Sequence, residues 1–157
     1  MTKFDKWALG WLKGKKTKGT WLPGKVIFSN EGMNEWQGGY CKYNLFSTYV
    51  QIRTKYQGKD NGILEHELRH VKQYNNLFWF HLLLKNFDKY TLFIELDAYR
   101  EQVKCYNYTQ KAQYLWVVNA LVNPDKYGLN INHKEAIEYA DFMFDDLIKE
   151  NIKENIK

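Results

Sequence analysis

Between Tyr56 and Ile63 the chain changes its local pattern, and that change sets the fold class. Upstream, short strand-like segments alternate with turn residues. Pro23-Gly24 separates Thr20-Trp21-Leu22 from Lys25-Val26-Ile27-Phe28, and Gly38-Gly39 marks a second turn. Ser47 to Tyr56 alternates and is rich in β-branched and aromatic residues, which predicts a strand. Gly58 to Gly62 ends that strand and opens a helix, with Asp60 or Asn61 as its N-cap. Downstream the pattern is helical. Ile63 to about Tyr74 forms one helix with a weak point at Asn75-Asn76, and Leu77 to Lys85 continues it or starts another segment. Tyr90 to about Tyr108 is a second helix. Gln110 to Val122 is a third, stopped before Asn123-Pro124 because the residue preceding proline avoids the α region. His133 begins the last, with Asn132 as its cap. Strands first and helices after them make an α+β pattern.

The 157 residues suit a single domain spanning 1–157, with a conventional apolar core. Twelve Tyr, nine Phe and six Trp supply large buried areas with polar handles, and only two prolines occur, which argues against extensive disorder. The net charge of +5 is unevenly spread. Lys3, Lys6, Lys13, Lys15, Lys16, Lys18 and Lys25 crowd the start of the chain, where Asp5 is the only acid. Residues 1–18 therefore read as a basic, mobile arm, whose partner would be weakly bound and anionic: nucleic acid, a membrane surface or an acidic protein. Residues 150–157, Lys/Glu-rich, read as a fraying end. Cys41 and Cys105 have neither zinc-ribbon nor redox spacing and read as free thiols of a reducing compartment. The first residues lack the apolar run of a signal peptide. The longest apolar run, Leu77 to Leu84, is far short of the ~20 residues that cross a bilayer. A cytoplasmic location is expected.

Chemistry concentrates in Ile63-Leu64-Glu65-His66-Glu67-Leu68-Arg69-His70-Val71, which contains H-E-x-x-H. Helical spacing turns His66 and His70 to within about 40° of each other, one turn apart, so both imidazoles can ligate one zinc ion. Glu67 lies about 100° from His66 and about 60° from His70, beside the metal without being forced to ligate it. That is where a carboxylate accepts a proton from activated water. Leu64, Leu68, Val71 and Phe78 share an apolar arc suited to the core, whereas Glu65, Arg69 and Lys72 share a charged arc suited to water. Composition alone would produce the pentapeptide in roughly one chain in two hundred, so chance is the weaker explanation.

A third ligand must come from elsewhere. The position six residues after His70 is Asn76, so the three-histidine version of the motif is absent. A carboxylate is the better candidate, and Glu95 lies in Phe93-Ile94-Glu95-Leu96-Asp97-Ala98-Tyr99-Arg100. On that helix Glu95, Ala98 and Tyr99 share a face, whereas the competing ligand Asp97 points about 200° away. Ala98 permits close approach of the histidine helix. Tyr99 could hydrogen-bond a ligand or a substrate oxyanion.

These residues resemble gluzincin-type metallopeptidases, in which H-E-x-x-H on one helix is completed by a glutamate on a later one. The strings H-E-L-R-H-V-K-Q and E-L-D-A-Y-R also look like small bacterial and phage zincin-like proteins, over about Gly62 to Arg100. The resemblance implies a zincin-like fold, with a small N-terminal antiparallel sheet before a helical half that carries the motif. It implies Zn2+ on His66, His70 and Glu95, with Glu67 as general base in hydrolysis of a peptide or protein substrate. It also implies an edge strand at Ser47 to Tyr56, where an extended peptide would pair. Many gluzincins have an aspartate four residues after the ligand glutamate; Tyr99 stands there instead. Gln73, on the face of the two histidines, is a candidate to orient one of them. Tyr99, Tyr106 and His81 are the candidates to stabilise an oxyanion. The alternative is a catalytically silent zinc-binding interaction protein on the same scaffold.

Overall fold

A computed structural model describes residues 1–14, 24–35, 37–43, 47–59, 61–84, 86–105 and 110–154. The elements in order are helix α1 (Lys3–Gly14), strands β1 (Gly24–Phe28), β2 (Gly39–Tyr43) and β3 (Thr48–Ile52), and helices α2 (Ile63–Leu84), α3 (Asp88–Lys104), α4 (Gln110–Val122), α5 (Pro124–Tyr127) and α6 (His133–Glu154). The class is α+β: one small sheet and a larger helical body.

Residues 3–14 are a helix that packs on α3 and α6, not a mobile tail. Its start is closed by a reciprocal cap, in which the Thr2 amide donates to Asp5 Oδ2 (2.8 Å) and the Asp5 amide to Thr2 Oγ1 (3.1 Å). Leu9 and Leu12 are buried, and Lys13 is ion-paired with Asp145 and Asp146. Lys15, Lys16 and Lys18, with the expected strand at 20–22, lie outside the described residues.

The sheet has the order β1-β3-β2. β2 is antiparallel to β3, Gly39 facing Ile52 and Tyr43 facing Thr48, but β1 is parallel to it, Gly24 beside Thr48 and Phe28 beside Ile52. The sheet is therefore mixed, where an antiparallel one was expected. β3 is also its central strand, so the expected edge at Ser47 to Tyr56 is wrong; β1 and β2 are the edges among the described residues. Thr48, Val50, Gln51 and Ile52 are all buried, as a strand flanked on both sides requires. The strand stops at Ile52, and Thr54–Tyr56 turns into a 3-10 helix because neither neighbour extends beyond that register. Arg53 fixes the exit, its Nε donating to the Gln37 carbonyl at 2.9 Å.

α2 lies between two apolar clusters. Val71 packs with Val50 and Ile52 against the sheet, while Leu77 joins the larger cluster built by α1, α3, α4 and α6 around Leu9, Leu96, Val117, Leu121, Ala140 and Met143. The start of α2 approaches the end of α3 closely at Gly62. Its φ of +68° suits glycine, and a Cβ there would stand 2.4 Å from the Gln102 carbonyl oxygen. Asn61, one of the two expected caps, accepts from the Ile63 amide at 3.2 Å; Asp60 lies outside the described residues. The weak point falls at Leu77 (φ −122°, ψ 22°), one residue past Asn76, whose side chain takes the Lys72 carbonyl at 2.7 Å. α3 runs from Asp88 to Lys104, two residues earlier at its start than the sequence pattern indicates. α4 has the expected bounds, and α6 begins as expected with Asn132 and Glu135 capping reciprocally at 2.9 and 3.2 Å. The short α5, opened by Asn123 and Pro124, has no counterpart in the sequence reading. No described helix is long and apolar enough to cross a membrane.

Candidate metal centre

His66 and His70 lie one turn apart on α2, and α3 crosses beside them so that Glu95 reaches both. His66 Nε2 and His70 Nε2 are 3.1 Å apart. Glu95 Oε2 lies 3.5 Å from the first and its Oε1 3.5 Å from the second. Donors about 2.0–2.1 Å from a tetrahedral ion stand about 3.3 Å from one another, so these separations fit three corners of such a site. Among the described residues this is the one group of three or more His, Cys, Asp or Glu side chains able to share a metal ion. Glu95 Oε2 is buried with no hydrogen-bond partner, a costly state for a carboxylate oxygen unless a cation serves it.

The neighbouring side chains decide which nitrogen of His70 is free. Its Nδ1–H donates to Gln73 Oε1 at 2.8 Å, and Gln73 Nε2 donates in turn to the Ile94 carbonyl (2.8 Å) and to Asp97 Oδ2 (2.7 Å). The amide is thereby locked with its oxygen toward the histidine, so the neutral imidazole keeps its Nε2 lone pair in the cleft. Asp97 is not one of the three converging donors. It is almost fully buried and holds Arg69 in a fork, Nε to Oδ2 at 2.7 Å and Nη2 to Oδ1 at 2.9 Å. Arg69, expected to face water, is buried instead, because this carboxylate lies beneath it.

Charge is tightly balanced here. Burial pushes the Glu67 carboxyl up, partly offset by the two imidazoles. Burial alone would lower His70, but Glu95, helped by Glu67 and Gln73, raises it to about 9. The imidazoles hold Glu95 well below the ordinary carboxylate range despite its burial.

Glu67 is buried beneath β2, and Gly39 makes the contact. A Cβ at residue 39 would stand 3.0 Å from Glu67 Cγ and 2.8 Å from Ile52 Cδ1. The triad and Glu67 open into a cleft of about 400 Å³, walled on one side by β2 and on the other by Tyr99, Trp116, Lys126 and Tyr127. Tyr99 packs its ring edge-on against His66, centroids 4.6 Å apart. Its hydroxyl accepts from Lys126 Nζ at 3.0 Å and bonds the Tyr127 hydroxyl. Lys126 sits over the Trp116 ring at 4.6 Å. Trp116, Lys126 and Tyr127 are absent from the sequence reading, since nothing local in α4 or α5 marks them; only the tertiary fold brings them to the histidines.

His81 does not line the cleft. It is buried between Tyr43, whose hydroxyl bonds its Nε2, and Tyr90, 3.3 Å from its Nδ1. Tyr106 lies outside the described residues. Cys41 does line the cleft, and burial with Glu67 nearby pushes its thiol up to about 12. No family model, no curated protein and no solved structure matches the chain.

Proposed function

We propose that this chain is a zinc-dependent peptidase of zincin-like design, acting on an extended peptide laid between β2 and the wall formed by α4 and α5. One observation carries the reading: two imidazole nitrogens and one carboxylate meet at 3.1–3.5 Å in a cleft, with a further, non-converging carboxylate beside them. Two nitrogens and one oxygen with a fourth direction open to the cleft is the donor set of a hydrolytic zinc site, which favours zinc over the oxygen-seeking cations. His66, His70 and Glu95 would hold the ion. Zinc there supplies Lewis acidity to water and to a peptide carbonyl.

The chain's own residues account for the rest. Gln73 fixes the His70 ring with Nε2 toward the cleft, and Tyr99 buttresses the His66 ring. Glu67 takes the proton from the attacking water on a carboxylate oxygen and passes it to the leaving amine nitrogen. Lys126 and Tyr127 offer an N–H and an O–H toward charge developing on the carbonyl oxygen, while Tyr99, first in line by sequence, positions them. β2, an edge strand among the described residues, offers main-chain hydrogen bonds to an extended peptide, the part first assigned to residues 47–56.

The decisive experiment pairs metal analysis with a fluorogenic peptide library. Wild type should hold one zinc per chain and cleave; Glu67→Gln should keep the zinc and lose about 10²–10⁴-fold in kcat/KM. Stoichiometric zinc with no cleavage of any peptide would replace this reading by the silent zinc-binding one. Absence of metal would remove both.

A further inference from the structure

The side of α1 that faces away from the core is unlike any other described helix face. Phe4 is 65 % exposed, Trp7 66 % and Trp11 46 %. At helical spacing the three fall within about 60° of arc and form an aromatic ridge. Lys3 and Lys6 are exposed on one flank of that ridge. The helix's single acid, Asp5, is wholly buried on the opposite side, held by Thr2, Lys89 and Tyr139. The Lys89–Asp5 pair also ties the start of α3 to the start of α1. Two nearby acids of α6 are already matched, Glu138 by the Met1 amine at 2.8 Å and Asp145 by Lys13.

We propose that this face is a docking surface for a lipid bilayer with anionic headgroups, holding the molecule on the membrane rather than through it. Tryptophan and phenylalanine suit the boundary between headgroups and acyl chains, because their rings are apolar bodies that tolerate a wet edge. Lysines beside them add attraction to negative lipid, and weak membrane binders need both signals together. Charge also decides against a second copy as the occupant. A two-fold contact through this ridge would set Lys3 and Lys6 close to their own symmetry mates, with Asp5 buried and unable to compensate.

The test is co-sedimentation of the whole chain with vesicles of phosphatidylcholine alone and of phosphatidylcholine with 30 % phosphatidylglycerol. The expected result is binding to the second at least tenfold tighter than to the first, weakened by 0.5 M salt. Phe4→Ser with Trp7→Ser, and separately Lys3→Glu with Lys6→Glu, should each weaken it at least tenfold while leaving the circular dichroism spectrum and zinc content unchanged. Failure to bind the anionic vesicles overturns the proposal. So does binding that survives both double variants, which would place it on other lysines. Self-association that depends on Phe4 and Trp7, without vesicle binding, would make the face an interface between copies instead. None of these outcomes depends on the peptidase reading.

Discussion

Glu95 and Asp97 stand two residues apart on α3, the first partly buried and the second fully, and both face side chains of α2, yet their surroundings differ in kind. Asp97 has both oxygens hydrogen-bonded: Arg69 donates to each and Gln73 to one, at 2.7–2.9 Å. Glu95 leaves Oε2 without a hydrogen bond and sets its oxygens 3.5 Å from two imidazole nitrogens. A closed charge network braces a fold, because each oxygen already has a donor. A convergent set of donors with an orphaned oxygen is poised for a cation. The difference that matters is in their partners rather than in their burial.

Four experiments bear on that contrast, in falling order of effect. His70→Ala should reduce zinc from one per chain to none after dialysis, as read by elemental analysis, and end hydrolysis with it. Retention of full zinc would mean the open set is not a metal site. On metal-stripped protein, Asp97→Ala should cost about 3–5 kcal/mol in urea denaturation, since it strands a buried Arg69. Glu95→Ala should cost less in the same assay, because it strands no buried guanidinium; equal losses would erase the distinction. Gln73→Leu touches both networks and should weaken zinc affinity about 10–100-fold in competition with a chelating dye.

The smallest effect is one of pH. Burial would raise Asp5, but hydrogen bonds from the Thr2 amide, Tyr139 and Lys89 outweigh it and hold the carboxyl down to about 2, from an ordinary 3.8. A depressed carboxyl stabilises the fold above its unfolded value and loses that contribution as pH falls toward the folded one. Urea midpoints should therefore decline between about pH 4 and 2, and Asp5→Asn should flatten that slope.

What the sequence disclosed was what depends on neighbours along one helix. His66, His70 and Glu67 follow from spacing by four and by one, Glu95 over Asp97 from a helical face, and Gln73 from sharing the histidines' side. The bounds of α4 and the cap at Asn132 were legible for the same local reason. The misses are of two sorts. α1 was hidden because its large aromatics lie outward and its acid inward, which inverts the usual contrast, although Thr2-Lys3-Phe4-Asp5 carries the spacing of a capping box. Arg69 in the interior, β3 at the centre, β1 parallel to it, and Lys126 and Tyr127 at the cleft all arise from contacts between distant segments. No periodicity records those.

Gly39 sets the clearance between the roof of the cleft and the carboxylate beneath it. Since one carbon more would already crowd both Glu67 and Ile52, strand and helix rest against each other with a hydrogen atom as the only gasket. Any heavier shim lifts the roof or tilts the base. Drift at this locus is thus penalised in alignment before it is penalised in folding, and a residue with no side chain becomes one of the tightest tolerances in the molecule.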